Sequence, residues 1–497
     1  MLSRLRSMAL FQLIQLLLLS TGESVAPLPE FCEVSAVGAG WAGVYFAFRQ
    51  ALTGKKVCIF EGTDRIGGRT YSHRMDIGDE TFTLDVGAYR FSPDMHLPGD
   101  VIKLLGFKTA CYEPNCPPAS QEFPEPFHFN YTAPLRRIVD AEGMPAGYVT
   151  AIRGMLDQIL ASGGQLFMEA NLTDVQALHS QEVRLVFDTR AVLTKSVLLN
   201  LPRAPFLSLQ SLRSDLPERT VQMANCVKFD VPTKFFPPGS FTLGKSLTKA
   251  YAYYADAWWH NHLNQTVGQW PENAFEPVNT SEGIPIGIHW NDGPVRCNAP
   301  LQGCRGFLEV FYSTTNEDFF EDLRPSDLQP LGILKGKAAE AKLQRLHAAV
   351  MEATKPLFQK KSVAQPKEPP SMLVVGVWDR TGHGFTAPTK VYYSKDETTP
   401  GGPDPLEKAC GVPGLTDKEY RDSLLFPHPD HKQIMLANND WVAQPVEKMF
   451  GDWAEESLLQ AERALHGSGL GRPAWLDEDY YNRKVLGIAE GDIVTMV

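Results

Sequence analysis

The stretch VSAVGAGWAGVYFAFRQALTGKKVCIFEGTDRIGGRT, residues 34–70, decides the fold. It reads as strand, glycine turn, helix, second strand and arginine-bearing loop, the order of a βαβ unit that holds a dinucleotide. Gly38, Gly40 and Gly43 supply the G-x-G-x-x-G turn. The first allows the tight bend, the second lets backbone approach a pyrophosphate, and the third lets helix pack on strand. Trp41 and Ala42 open the helix, whose leading N–H groups have no partner within it and suit a phosphate. Glu61 ends the second strand, 23 residues after Gly38, where a carboxylate accepts from a ribose diol that carries no 2′-phosphate. Glycine turns often only join a strand to a helix. The continuation Glu61-x-x-x-Arg65-x-Gly67-Gly68-Arg69 is more specific, because a nicotinamide unit has no use for a second Gly-Gly-Arg loop beside the phosphates.

Outward from this unit, 497 residues with 43% hydrophobic content are enough for two or more interleaved domains around a sizeable core. A net charge of -11 argues against nucleic acid as a partner and lends no support to an anionic membrane surface. Arg4 and Arg6, the apolar run at residues 8–19 and the small residues at 20–22 have the three-part form of a secretory signal peptide. The run is about half the length that spans a bilayer, so no stable membrane anchor is expected. The expectation is a secreted or secretory-lumen protein, with an organelle-targeting leader as the alternative. Sequons at Asn130, Asn171, Asn264 and Asn279 fit export. Among eight cysteines, Cys111/Cys116 and Cys297/Cys304 are the easiest local bridges, while Cys58, inside the VCIF strand, reads as a buried free thiol. No second Cys or His pair stands at metal spacing, so no metal is expected.

With the Gly-Gly-Arg loop in view, the chain resembles the flavin-containing amine oxidases, among them the L-amino acid, polyamine and monoamine oxidases. That resemblance implies an α/β fold: a Rossmann-like FAD-binding domain interleaved with a mixed-sheet substrate domain, of the kind shared with glutathione reductase. The implied division is a signal peptide at 1–22, FAD-binding parts at 33–98, 147–202 and 378–497, an insertion at the substrate entrance at 99–146, and a substrate domain at 203–377. Arg69 takes the position that meets the cofactor phosphates. Gly87, Ala88 and Tyr89, in TFTLDVGAYRFSP, take the turn beside the flavin ring. Val175 takes the adenine contact; from the residues alone it is ordinary core. Asp440 takes the acidic position of the last FAD motif, and Ala454 and Glu455 take the helix start at the flavin carbonyls.

The same resemblance nominates three catalytic candidates. Arg90 stands where L-amino acid oxidases grip the substrate carboxylate, a task suited to a planar fork of donors. Lys249 opens the aromatic strand KAYAYY ten residues before Trp259 and matches the lysine that holds a water at flavin N5. On residues alone it is equally a surface lysine on an edge strand. Trp453 takes the aromatic position at the substrate cavity. Asn438, Asn439 and Glu456 depart from the family pattern, and a glutamate near reduced flavin opposes its charge unless it turns away. Elsewhere, residues 335–354 read as an exposed amphipathic helix, Asp318 and Glu321 as a solvated helix start, and His428-Pro-Asp-His431 as a solvated turn.

The implied activity is oxidation of an L-amino acid with oxygen to a 2-oxo acid, ammonia and hydrogen peroxide, the amine losing hydride from Cα to FAD. The alternatives are a polyamine or monoamine oxidase or a flavin desaturase, and, from another class, a flavin-free binding protein on the same fold like the GDP-dissociation inhibitors. The partners expected are a small amine or amino acid and oxygen, with an oligomer left open.

Overall fold

The computed structural model describes residues 27–92, 95–111, 135–188, 190–226, 247–272, 277–299, 302–313, 318–324, 329–378, 391–393, 407, 410–445 and 453–488. The leader, the Asn130 sequon, Cys116 and residues 112–134 of the 99–146 insertion lie outside them.

The opening unit forms as read: β1 (Phe31–Val37), α1 (Trp41–Ala51) and β2 (Val57–Phe60). Both strands are apolar runs because helices and loops cover both faces of the sheet, and β2 is buried at all four positions. A hairpin of β3 (Ser72–Ile77) and β4 (Glu80–Asp85) follows. The chain then returns through β5 (Gln165–Phe167), β6 (Leu172–Ala177), β7 (Val183–Phe187) and β8 (Ala191–Leu199). The sheet runs β5-β2-β1-β8-β7-β6, with β14 (Ile434–Leu436) added on β8. β8 is long enough to serve two partners on one side. Residues 191–194 pair antiparallel with β7, and residues 197–199 pair parallel with β14.

One face of this sheet carries α1, α3 (Val149–Ala161) and α5 (Trp453–Gly467). The spacing of Val149, Ile152, Met155, Leu156 and Ile159 places them on one buried stripe of α3, and Gly163, at φ +88°, turns the chain away after it. α5 is locked to α1 by a buried cluster: the Tyr45 hydroxyl donates to Glu462 at 2.7 Å and the Arg49 guanidinium pairs with the same carboxylate.

The second sheet is antiparallel. β10 (Ile288–His289), β11 (Arg305–Ser313), β9 (Leu247–Tyr254), β13 (Met372–Trp378) and β12 (Leu331–Lys335) are neighbours in that order. Side chains alternate across it. Ala250, Ala252, Leu308, Val310 and Val375 pack toward α4 (Glu340–Lys361), whereas Tyr251, Tyr253, Phe307 and Val374 pack against Phe82 and Leu84 of β4. That second contact seats the substrate sheet against the hairpin leading out of the first βαβ unit.

Several expectations are corrected. α4 begins at Glu340, not 335, because Lys335 ends β12 and Gly336, at φ +80°, makes the turn between them. It is half buried, through Leu343, Leu346, Val350 and Phe358. Cys58 is not a free thiol: it bridges Cys32 of the adjacent β1. An apolar flank made it look like core, and only the pairing of parallel strands shows its partner. Cys297–Cys304 forms as expected, and Cys226–Cys410 joins segments 184 residues apart. His428 and His431 are buried, their rings 4.6 Å apart, not solvated. Among the described residues no helix is long and apolar enough to cross a membrane.

Candidate functional site

The glycine turn is shaped by its own backbone. Gly38 lies at φ +94°, and a Cβ there would sit 2.5 Å from the Asn200 carbonyl; one on Gly43 would sit 2.0 Å from that of Gly38. Gly40 is different. Its nearest neighbour would be the Asn200 amide nitrogen at 3.0 Å, then Gly67 and Gly68 at 3.9 Å, so Gly40 and Gly68 line a gap between the two glycine loops. No side chain caps the start of α1, and no acid lies in its first turn, which leaves its N–H groups and partial positive charge facing that gap. Trp41 and Ala42 are buried; the Trp41 indole donates to Thr70 at 2.9 Å and packs on Tyr148. Glu61 is fixed by the Ala39 N–H at 2.8 Å and by the Thr63 N–H and hydroxyl at 3.0 and 2.7 Å. A carboxylate has about four acceptor positions, so one remains for a ribose hydroxyl. These residues fit the ADP half of a dinucleotide: donors for phosphate, an anchored carboxylate for ribose and glycine where backbone must come close.

The far wall comes from the end of the chain. Arg69 pairs with Asp440 at 2.6 Å and donates to the Asn439 side chain at 2.7 Å. Asn438 donates to the Leu201 carbonyl and accepts from the Asp440 N–H, both at 2.8 Å. The two asparagines therefore tie the loop after β14 to the exit of β8 and to the Gly-Gly-Arg loop. Arg203, which the sequence did not single out, donates to the Asp440 carbonyl at 2.7 Å from a buried position over Trp441. Glu456 turns along its own helix, accepting from Gln460 at 2.6 Å with Arg463 at 3.8 Å. The Glu455 carboxylate accepts from the Leu97 N–H at 2.9 Å, at the start of α2 (His96–Leu104), and from the Tyr480 hydroxyl. Ala454 is buried beside it. Trp453 begins α5.

Two expected contacts take a different form. Val175 on β6 is fully buried in the core behind the first sheet, so its side chain offers a ligand no surface and any contact is through its main chain. A Cβ on Gly87 would lie 2.2 Å from the Arg69 carbonyl and 2.9 Å from the Trp378 indole. Its bareness thus serves packing, with Ala88 next to it donating to the Arg69 carbonyl at 3.0 Å.

The third wall is the face of the substrate sheet beyond Gly87. Lys249 is on β9 between β11 and β13, not on an edge, and is 1% exposed. Its ammonium lies 3.3 Å from the centroid of the Tyr89 ring and 5.0 Å from that of Tyr312, and donates to the Asp85 carbonyl at 3.3 Å. Burial pulls its pKa down to about 7, against the pull of Glu309 and Asp85. Burial likewise raises the Asp85 carboxyl to about 6, although Ser72 and the Tyr148 N–H stabilise its charge. Arg90 sits with its guanidinium 4.5 Å from the Tyr89 ring centroid, and its Nε is buried. Burial opposes its charge, and the nearby Tyr89, Asp292, Tyr312 and Glu309 favour it, with a net upward shift.

Three residues here went unnoticed in the sequence: His289, Asp292 and Glu309. Their ligand atoms lie within 4.8 Å of one another, and all three are buried. Glu309 was detectable in principle, as a lone acid in the apolar strand RGFLEVFYS. His289 Nδ1 lies 3.1 Å from Glu309, and burial, with Arg90 and Lys249 nearby, depresses that imidazole to about 3.

Against known proteins, residues 37–98 match the model of an NAD(P)-binding Rossmann-like domain. Aplysianin-A of Aplysia kurodai is 32% identical over 84 residues, which is 17% of this chain and 15% of that protein. The flavin-dependent L-tryptophan oxidase RebO of Lentzea aerocolonigenes is 34% identical over 74 residues, 15% of this chain and 16% of that one. The matches thus span about a sixth of these relatives' length. Among solved structures, a redesigned putrescine oxidase aligns over 88% of this chain and 99% of its own at TM-score 0.51 and 13% identity. A triple mutant of that enzyme gives 0.52, with 14% identity, over 88% of this chain and 98% of its own. At such identities the likeness is one of fold.

Proposed function

We propose that this chain, whose fold and dinucleotide-binding segment are similar to those of flavin amine oxidases, is an FAD-dependent oxidase acting on L-amino acids. The observation that carries the substrate class is the Arg90 guanidinium, set beside Tyr89 and Lys249 just past the glycine turn. A half-buried, planar cation at that point recognises a carboxylate through two parallel hydrogen bonds.

The residues that would hold FAD are the glycines at 38, 40 and 43 and the start of α1 for the pyrophosphate, Glu61 for ribose, and the Arg69–Asp440 pair with the start of α5 for the flavin end. What the cofactor supplies is acceptance of a hydride from the substrate Cα and delivery of the electrons to oxygen. The chain's residues do the rest. Arg90 fixes the carboxylate and so the direction in which the Cα–H bond points. Tyr89, Tyr312 and Tyr251 surround Lys249 and exclude water, which strengthens every charge interaction inside. Lys249, its pKa pulled down to about 7 by burial, offers a positive group or a donor as charge builds up nearby. Water converts the imine product to the 2-oxo acid and ammonia.

Three disulfides among the described residues, Cys32–Cys58, Cys226–Cys410 and Cys297–Cys304, support the reading of residues 1–22 as a leader into an oxidising compartment.

The test is a visible absorption spectrum of the purified protein, followed by peroxide release across amino acids, polyamines and arylamines. Flavin bands bleached without oxygen by an amino acid are expected. A colourless protein that takes up no FAD, or bleaching by carboxylate-free amines alone, overturns the reading. The Arg90→Met variant is expected to lose about 100-fold or more in kcat/KM for amino acids while simple amines change by less than about fivefold.

A further inference from the structure

The wall opposite Arg90 carries two buried acids that the proposed reaction leaves unused. Asp292 is 8% exposed and Glu309 is not exposed at all; His289 Nδ1 lies 3.1 Å from Glu309, and the Tyr251 hydroxyl faces Glu309 as the Tyr89 hydroxyl faces Asp292. They come from different elements, Glu309 from the middle of β11 and Asp292 from the turn after β10. Among the described residues the ionisable groups facing them are Arg90 and Tyr89 from the segment after β4, Lys249 and Tyr251 from β9, His289 from β10 and Tyr312 from β11. The donor types of His289, Asp292 and Glu309 would suit a metal, but Arg90 and Lys249 already face these carboxylates, and a divalent cation would be placed against two positive groups.

Resting on the reading of Arg90 as the carboxylate ligand, we propose that Asp292 and Glu309 bind the substrate ammonium and take one proton from it. A zwitterionic amino acid carries the complementary pair of charges. Its carboxylate occupies Arg90, which frees the acids from that cation, and its ammonium enters between the two carboxylates. One N–H bond breaks and one O–H bond forms on the acid pair, leaving the nitrogen its lone pair. Only that neutral amine can release hydride from Cα, since the lone pair forms the C=N bond. Peroxide needs two electrons and two hydrogens. One hydrogen arrives as the hydride and the other is this proton, so the pair returns to its starting state after each turnover. Burial first, and then the Glu309 charge, push the Asp292 carboxyl well above the ordinary range, against the opposing pull of Arg90 and Tyr89. Two carboxylates this close hold a shared proton more tightly than a lone carboxylate does, which makes the pair a better acceptor for the ammonium proton.

The experiment uses full-length protein carrying FAD and three probes that cannot be oxidised to an imine: α-methylleucine, its analogue with hydrogen in place of the amino group, and its analogue with methyl in place of the carboxylate. α-Methylphenylalanine and its two counterparts form a second set. Affinities are measured by calorimetry for the wild type, Asp292→Asn, Glu309→Gln and Arg90→Met, with thermal unfolding as the check on folding. Each acid variant is expected to weaken the amino acid and the carboxylate-free amine by about tenfold or more, leaving the nitrogen-free acid unchanged or tighter. The wild type alone supplies an independent reading: its affinity for the amine should fall by about tenfold as pH is lowered and the Asp292 carboxyl gains its proton, while that for the nitrogen-free acid does not fall. Amine affinity within about twofold of wild type in both acid variants, or independent of pH, overturns the proposal. Should Arg90→Met leave the nitrogen-free acid unaffected while Asp292→Asn still weakens the amine, the carboxylate reading fails and the ammonium site stands. Wild-type protein that binds no probe of either set overturns both.

Discussion

Gly40 and Gly43 are three residues apart, yet their substitution by alanine separates cofactor binding from folding. At Gly40 the nearest obstacle is the end of a flexible Asn200 side chain, so Gly40→Ala is expected to fold, with Tm within a few degrees of wild type, and to be purified with less than about half its flavin, read from the visible-to-280 nm absorbance ratio. At Gly43 the added carbon meets the Gly38 carbonyl at 2.0 Å, and Gly43→Ala should instead lower the Tm of the protein prepared without flavin. Lys249 gives a pH-dependent prediction. Its folded pKa is about 7 against an ordinary 10.5, so between these values the unfolded chain binds more protons and stability rises with pH. The cost of burying the ammonium is complete below pH 7 and absent above about 10.5. Lys249→Met should therefore stabilise the protein most below pH 7, by an amount on the order of a few kcal/mol, and not at all above about pH 10.5, as read from urea titrations across this range. A constant gain would place the lysine charge outside the balance described.

Among the elements, α1 and α5 are joined across the whole length of the chain by the Glu462 carboxylate, held by Arg49 and Tyr45. Removing one partner leaves the other charged in an apolar core, and Glu462→Ala should cost about 3–5 kcal/mol in denaturant titrations. The double replacement Arg49→Met with Glu462→Leu should recover most of that loss, because neither charge is then left without its counterpart. Elements were legible in the sequence in proportion to how local their signals are. β1, α1 and β2 follow from period and glycine spacing within 37 residues, and α3 follows from one apolar stripe. The start of α4 was misplaced because its first turn is polar and Lys335 belongs equally well to a strand. β6 went unnoticed in LTDVQA since only Val175 in it is deeply buried.

At the scale of the whole molecule, the cradle for the dinucleotide was legible because it is built from consecutive residues, while the substrate wall was not. Arg90 and Lys249 came only from resemblance, and Asp292, Glu309 and His289 came from neither source, because what makes them a site is the meeting of β9, β10 and β11 with the segment after β4. A single acid in a strand carries no sign of what faces it. The Cys226–Cys410 bond closes the largest described loop, and replacing both cysteines with serine should cost about 2–5 kcal/mol, measured as a fall in Tm. The division of β8 between two partners has a further consequence, in time. β14 pairs with residues 197–199 but lies at 434–436, so on the ribosome the first sheet waits, one strand short, while the entire substrate sheet is made. During that interval the carbonyls and amides at the end of β8 form an open edge, and its closure demands a contact of very long sequence separation. Flavin, whose far wall is the loop that follows β14, would be the last component to enter, and its presence during refolding should raise the yield by holding that late strand in place.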